Sequence, residues 1–186
     1  HRQAAGGPAK IRRIRPDVLD DAWTDEADIG FNVAALYSWQ GTLYAGTMAA
    51  AGTFAQILKR GADNIWVTAF TGSGGTATAN NGFLAFCPLG DALYASYWNA
   101  DTPAVAKILK TTDGTTWTTC YTGAADTIRP FIVLTVDNAE LFAIGGGAHL
   151  TAAILRTPDG TTWTDLTNEL PDNDKTALPA VAALVL

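Results

Sequence analysis

Cysteine, histidine and methionine are scarce: the 186 residues hold two Cys, two His and one Met. Cys87 and Cys120 are too few for a disulfide framework. Two histidines, His1 and His149, cannot satisfy a zinc site without other ligands, and a copper site on the same pair is not expected. The sequence therefore predicts no metal and no cofactor. Charge is low as well, with Asp, Glu, Lys and Arg at 16% and a net charge of −6. That balance opposes sequence-independent nucleic-acid binding, which depends on Lys and Arg neutralising phosphates. The basic stretch Lys10-Ile11-Arg12-Arg13-Ile14-Arg15 is read as a strand edge whose charges discourage edge pairing, in preference to a polyanion site. No window carries 18 consecutive apolar residues, so no membrane-spanning helix is expected, and His1-Arg2-Gln3 does not open a secretory leader.

Apolar residues make up 48%, and Thr, Gly and Ala recur between short runs of Val, Ile, Leu, Tyr, Phe and Trp. Such a mixture belongs to an all-β chain with many turns, here long enough for one domain. A repeat of about fifty residues organises it. Val33-Ala34-Ala35-Leu36, Phe83-Leu84-Ala85-Phe86 and Phe131-Ile132-Val133-Leu134 each open a unit. Ten positions after each opening residue come Leu43-Tyr44-Ala45-Gly46, Leu93-Tyr94-Ala95-Ser96 and Leu141-Phe142-Ala143-Ile144. A third run reads Ile57-Leu58-Lys59, Ile108-Leu109-Lys110 and Ile154-Leu155-Arg156, and a tryptophan follows eight residues beyond each central Leu: Trp66, Trp117 and Trp163.

Four short apolar runs per unit predict an antiparallel meander of strands A to D. A sheet with two apolar faces must bury both, and radial stacking against neighbours does so, which is the logic of a β-propeller. The tryptophans are expected to cover the gap between neighbouring units rather than to stack on a ligand. On strands A and D of one unit, Cys87 and Cys120 are not neighbours and are expected as free thiols.

The ends complete the pattern. Val181-Ala182-Ala183-Leu184 repeats Val33-Ala34-Ala35-Leu36, Lys10 to Ile14 resembles a strand C, Ala22-Trp23-Thr24 a strand D, and Arg2-Gln3-Ala4-Ala5 a worn strand B. The expectation is a single propeller domain over 1–186, with blades at 31–68, 82–119 and 130–165 and a fourth closed by 1–25 plus 180–186. Pairing of the same ends between two chains, giving a homodimer that shares one ring, is the alternative to a monomer.

Between strands C and D stand Thr111-Thr112-Asp113-Gly114-Thr115-Thr116-Trp117 and Thr157-Pro158-Asp159-Gly160-Thr161-Thr162-Trp163. They resemble the Asp-box of BNR-repeat propellers, a pattern of Ser or Thr, any residue, Asp, any residue, Gly, then Thr and Trp, here one residue shorter. Arg60-Gly61-Ala62-Asp63-Asn64-Ile65-Trp66 departs further, and Arg15-Pro16-Asp17 before Trp23 is a fainter echo. The resemblance implies a hairpin turn in which Asp accepts backbone hydrogen bonds, Gly takes positive φ and Trp anchors the next strand. It covers nearly the whole chain as a repeat, yet such propellers include sialidases, other glycoside hydrolases, sorting receptors, photosystem assembly factors and virion or surface appendages. Fold alone thus selects no function.

The resemblance places the C–D turns on one face and the B–C loops and D–A links on the ligand-facing other. There, Tyr97-Trp98-Asn99-Ala100-Asp101 combines two aromatics with an amide and a carboxylate, as a sugar or peptide anchor would need. Arg129 and His149 lie in loops of the same face. Asp25, Glu26 and Asp28 read as a solvated acidic link, and Asp172-Asn173-Asp174 has the same weak cation-binding character. Sialidase chemistry would require three converging arginines, and only Arg129 enters that face; Ser, Cys and His form no nucleophilic constellation either. The expected function is a non-catalytic binding or assembly module, extracellular or on a virion or cell surface, with a carbohydrate or protein ligand on the loop face. A glycan-active hydrolase is the alternative.

Overall fold

A computed structural model of the chain describes residues 10–13, 24–28, 32–49, 53–61, 65–73, 81–100, 103–125, 131–145 and 153–169. Among them the regular structure is antiparallel β in curled sheets, apart from one 3-10 turn over Thr167–Glu169. The all-β expectation holds.

Three meanders follow one another. The first comprises β3 (Asn32–Trp39), β4 (Thr42–Met48), β5 (Gln56–Arg60) and β6 (Trp66–Thr71). The second comprises β7 (Gly82–Leu89), β8 (Ala92–Asn99), β9 (Val105–Thr111) and β10 (Thr118–Thr122). The third comprises β11 (Phe131–Asp137), β12 (Glu140–Gly145), β13 (Ala153–Thr157) and β14 (Thr164–Asp165). Each strand pairs with its neighbours in sequence, and a single bridge, Met48 to Gly82, joins the first two meanders into one eight-stranded sheet. A separate hairpin pairs β1 (Lys10–Arg13) with β2 (Thr24–Asp28). The fourth strands run to Thr71 and Thr122, past the expected unit bounds at 68 and 119.

The repeat extends to irregularities that hydrophobic patterning does not reveal. The A–B ladders break register at one equivalent place in every unit: between Val33 and Ala35, between Phe83 and Ala85, and between Phe131 and Val133. The C–D ladders of the first two units do the same opposite Ala69 and Cys120, three residues after Trp66 and Trp117. A bulge adds twist locally, so bulges repeated in register give successive sheets the same curl. The β1–β2 hairpin carries its break at the corresponding point, opposite Glu26, three residues after Trp23. Asp25, Glu26 and Asp28 therefore lie on a strand, which corrects their reading as a link. The register sets Lys10 opposite Asp28 and Arg12 opposite Asp25.

Two-residue turns join strands A and B. Gln40 and Gly41 have φ of 48° and 76°, and Asn138 and Ala139 have 47° and 61°, the two positive values that a type I′ hairpin needs. Primed turns twist in the sense of the strands they connect.

The core fills the joints between units. β7 packs against β3, and β11 against β7, so the first strands lie side by side. At the first joint the Phe70 ring meets Phe83 edge-on with centroids 6.0 Å apart; at the second, Tyr121 meets Phe131 at 5.8 Å. Phe70 and Tyr121 both stand four residues after their unit's tryptophan. Phe83 and Phe131 are fully buried, which contributes about 1.5–3 kcal/mol each. Trp117 lies between Tyr44 of the first unit and Phe86 of its own, at 6.5 and 6.4 Å, and Trp163 lies 5.5 Å from Tyr121 of the preceding unit. Trp117 and Trp163 thus pack into the joints, whereas Trp66 packs against the Ala45, Leu58 and Val33 cluster of its own unit. Cys87 on β7 and Cys120 on β10 are free thiols, and burial pushes both up to about 11.

Candidate binding face

The sequence directs attention to the end of the units where β4, β8 and β12 finish and β7 and β11 begin. Tyr97, near the end of β8, is 2% exposed. Its ring stacks on Phe83 at a centroid distance of 4.7 Å, and its hydroxyl donates to the carbonyl of Ser73, just past β6. A Cβ at Gly72 would stand 2.7 Å from this ring, so only glycine lets the chain leaving β6 cross it. Tyr97 consequently fastens the first unit to the second from within and presents no stacking face to a ligand.

Trp98 points to the other side of β8, as strand alternation demands, and packs half-buried against the cluster containing Ala106, Ile108 and Phe131. Asn99 ends the strand opposite Val105, half-buried, at the rim. These two are the expected site residues placed at the mouth of the second unit. Asp101, Arg129 and His149 lie outside the described residues, as does Asp172-Asn173-Asp174.

Asn81 was not among the expected site residues. It is fully buried at the start of β7, where its side-chain oxygen accepts the Ala100 backbone N–H at 2.7 Å and its carbonyl accepts that of Ala49 at 2.7 Å. One residue thus holds the chain at the exits of both β4 and β8. A buried amide is costly unless paired, so this link is firm. Its only trace in the sequence is the Asn80-Asn81-Gly82 turn signal before a strand.

The opposite end carries the acidic turns. In the second unit the backbone N–H groups of Thr115 and Thr116 donate to Asp113 Oδ1 at 2.7 and 2.6 Å, and the Thr111 hydroxyl donates to the same oxygen at 3.0 Å. The Gly114 N–H donates to Thr111 Oγ1 at 2.9 Å, with Gly114 at φ 70°. The third unit repeats this: Thr161 and Thr162 donate to Asp159 Oδ1 at 2.8 and 2.7 Å, and Gly160, at φ 68°, donates to Thr157 Oγ1 at 2.9 Å. Those backbone donors hold both carboxyls well below the usual aspartate range.

Each turn is also a socket for the unit before it. A Cβ on Gly114 would overlap the Tyr44 hydroxyl, and one on Gly160 would overlap that of Tyr94. Burial, then the neighbouring Asp113 carboxylate, raises the Tyr44 hydroxyl pKa; burial, Cys120 and Asp159 do so for Tyr94. Lys59 of the first unit donates to the Thr115 hydroxyl at 2.8 Å across the same joint. Asp113 and Asp159 are therefore committed to structure.

Among the described residues no group of three or more His, Cys, Asp or Glu could hold a metal ion, and no helix is long and apolar enough to cross a membrane. No family model matches the chain, and no curated protein is significantly similar to it.

Proposed function

We propose that the chain is a non-catalytic binding or assembly module that holds a carbohydrate or protein ligand on the end of the units carrying Trp98 and Asn99. The observation that carries this reading is the frame beneath that end. Asn81 and Tyr97 are buried and hydrogen-bonded, and they fix the strand exits from which loops of unequal length and sequence depart. Variable loops on a rigid frame are a common basis of recognition surfaces. The scaffold we infer is a propeller of the Asp-box kind, with a fourth unit supplied by both ends of the chain. Two observations support the fourth unit. The β1–β2 hairpin has the register and bulge of a C–D hairpin. Leu36 is 51% exposed, whereas its equivalents Phe86 and Leu134, each covered by the unit before it, are 8% exposed. An extracellular, virion or cell-surface setting is part of the same proposal and rests on the Asp-box resemblance.

Retention on glycan and peptide arrays tests the surface. Trp98→Ala should abolish retention of a ligand that the unaltered chain holds, while Trp98→Phe, which preserves the packing against Ala106, should keep part of it. Unchanged retention by Trp98→Ala rejects this surface. The solution mass tests the scaffold: a monomer agrees with closure by the chain's own ends, and a dimer with a ring shared by two copies.

A further inference from the structure

We propose that a cleft at the second joint, on the end opposite the binding face, receives a tryptophan side chain from a partner polypeptide. The cleft has a volume of about 320 Å³ and is lined by Leu89, Gly90, Tyr94, Ala139, Pro158 and Asp159. That lies at the small end of ligand sites, roughly 300–1,000 Å³, and suits one bicyclic ring rather than an oligosaccharide.

The first joint shows what fits. There the position equivalent to Leu89 is Trp39, the last residue of β3 as Leu89 is of β7. Its indole is 7% exposed, lies 6.1 Å from Tyr44, and brings Cζ3 to 3.5 Å from where a Cβ on Gly114 would stand. The surrounding frame is the same at the second joint. Tyr94 takes the place of Tyr44 against the turn glycine, Gly160 that of Gly114, and Asp159 that of Asp113. The filler differs, an isobutyl group where the first joint has an indole, and on the rim Gly90, Ala139 and Pro158 replace Gln40, Asp91 and Thr112; the second joint has a cleft. An indole entering from outside would restore the packing that the first joint makes for itself. The Asp159 carboxylate lines the cleft, and we assign it as the acceptor for the incoming indole N–H. The site is on a different surface from the one carrying Trp98 and stands or falls independently of it.

The test is amide NMR of the full chain titrated with N-acetyl-tryptophanamide, N-acetyl-leucinamide and free indole. Saturable shifts confined to the amides around Gly90, Ala139 and Asp159, with the tryptophan amide and not the leucine amide, are expected. Leu89→Trp, which supplies the indole internally, should weaken that binding at least tenfold and raise the urea midpoint. Should Leu89→Trp not fold, Pro158→Trp on the exposed rim, where the first joint has Thr112, serves the same purpose. Absence of saturable shifts, binding that survives both substitutions, or a folded Leu89→Trp with a lowered midpoint overturns the proposal. Binding of free indole without the tryptophan amide overturns the assignment to a polypeptide side chain.

Discussion

Replacing Gly160 by Ala separates two costs that the turn socket combines. The first is conformational: at φ 68° an L-residue is strained by about 1–2 kcal/mol. The second is crowding, because the new Cβ would overlap the Tyr94 hydroxyl and stand 2.5 Å from Cζ and 2.8 Å from Cε1 of the same ring. Tyr94 is 2% exposed and cannot move aside freely, so forcing it costs about 1–3 kcal/mol more. Gly41 isolates the first cost, since its φ is 76° and nothing lies within 4 Å of its would-be Cβ. Gly41→Ala should therefore destabilise by about 1–2 kcal/mol and Gly160→Ala by about 2–5 kcal/mol. With a urea dependence of about 2 kcal/mol/M, the difference is a midpoint shift of roughly 1 M, readily followed by tryptophan fluorescence. Loss of freedom in the unfolded chain is common to both substitutions and cancels. Tyr94→Phe in the Gly160→Ala background should recover only part of the loss, because the ring carbons remain too close. If the two glycine substitutions cost the same within about 0.5 kcal/mol, the socket is not a packed contact and the account of the joint fails.

Acid sensitivity should follow from the same turns. Asp113 and Asp159 have depressed folded-state pKa values, so their contribution is complete above the ordinary aspartate value, about 4, and is lost as the pH falls below it. Urea midpoints measured from pH 7 down to pH 3 should decline less steeply in Asp159→Asn than in the unaltered chain; equal slopes would contradict this. At the A–B turn of the third unit, Ala139 holds φ 61° with a side chain, so Ala139→Gly should raise stability by up to about 1 kcal/mol. A lower urea midpoint for that variant would show that the left-handed conformation is not strained there.

The architecture was legible because apolar spacing repeats. Leu43, Leu93 and Leu141 stand ten residues after their opening residues, and the same period predicted three meanders and packing tryptophans. The acidic turns were legible too, since Asp, Gly and Thr at these spacings have few other uses. What escaped was set by contacts between units. Phe70 and Tyr121 look like ordinary strand residues, and only the joint shows them as the edge-on partners of Phe83 and Phe131. Tyr97 looked like a ligand platform because an aromatic beside Trp98 and Asn99 suggests one; alternation along β8 sends it inward instead, under Gly72. Asn81 escaped because a polar residue before a strand reads as a turn, and its two backbone partners, Ala49 and Ala100, are distant in sequence.

The two ends of the units are under opposite constraints, and this explains why function is sought where the repeat is weakest. At the turn end, Gly114 and Gly160 each carry a tyrosine of the preceding unit, so a change there is felt in two units at once. Such positions must repeat, and their acids are held by backbone donors rather than left for chemistry. At the other end, Asn81 secures the strand exits at Ala49 and Ala100 and asks nothing of the residues beyond them. Loop sequence is thereby uncoupled from the stability of the joint, so it can diverge between units at little cost. The Trp39 to Leu89 exchange breaks this division: it is a divergence at the turn end, with a cleft beside it. Where the first joint holds the Trp39 indole, the second has Leu89 and a cleft, and that difference points to a partner there.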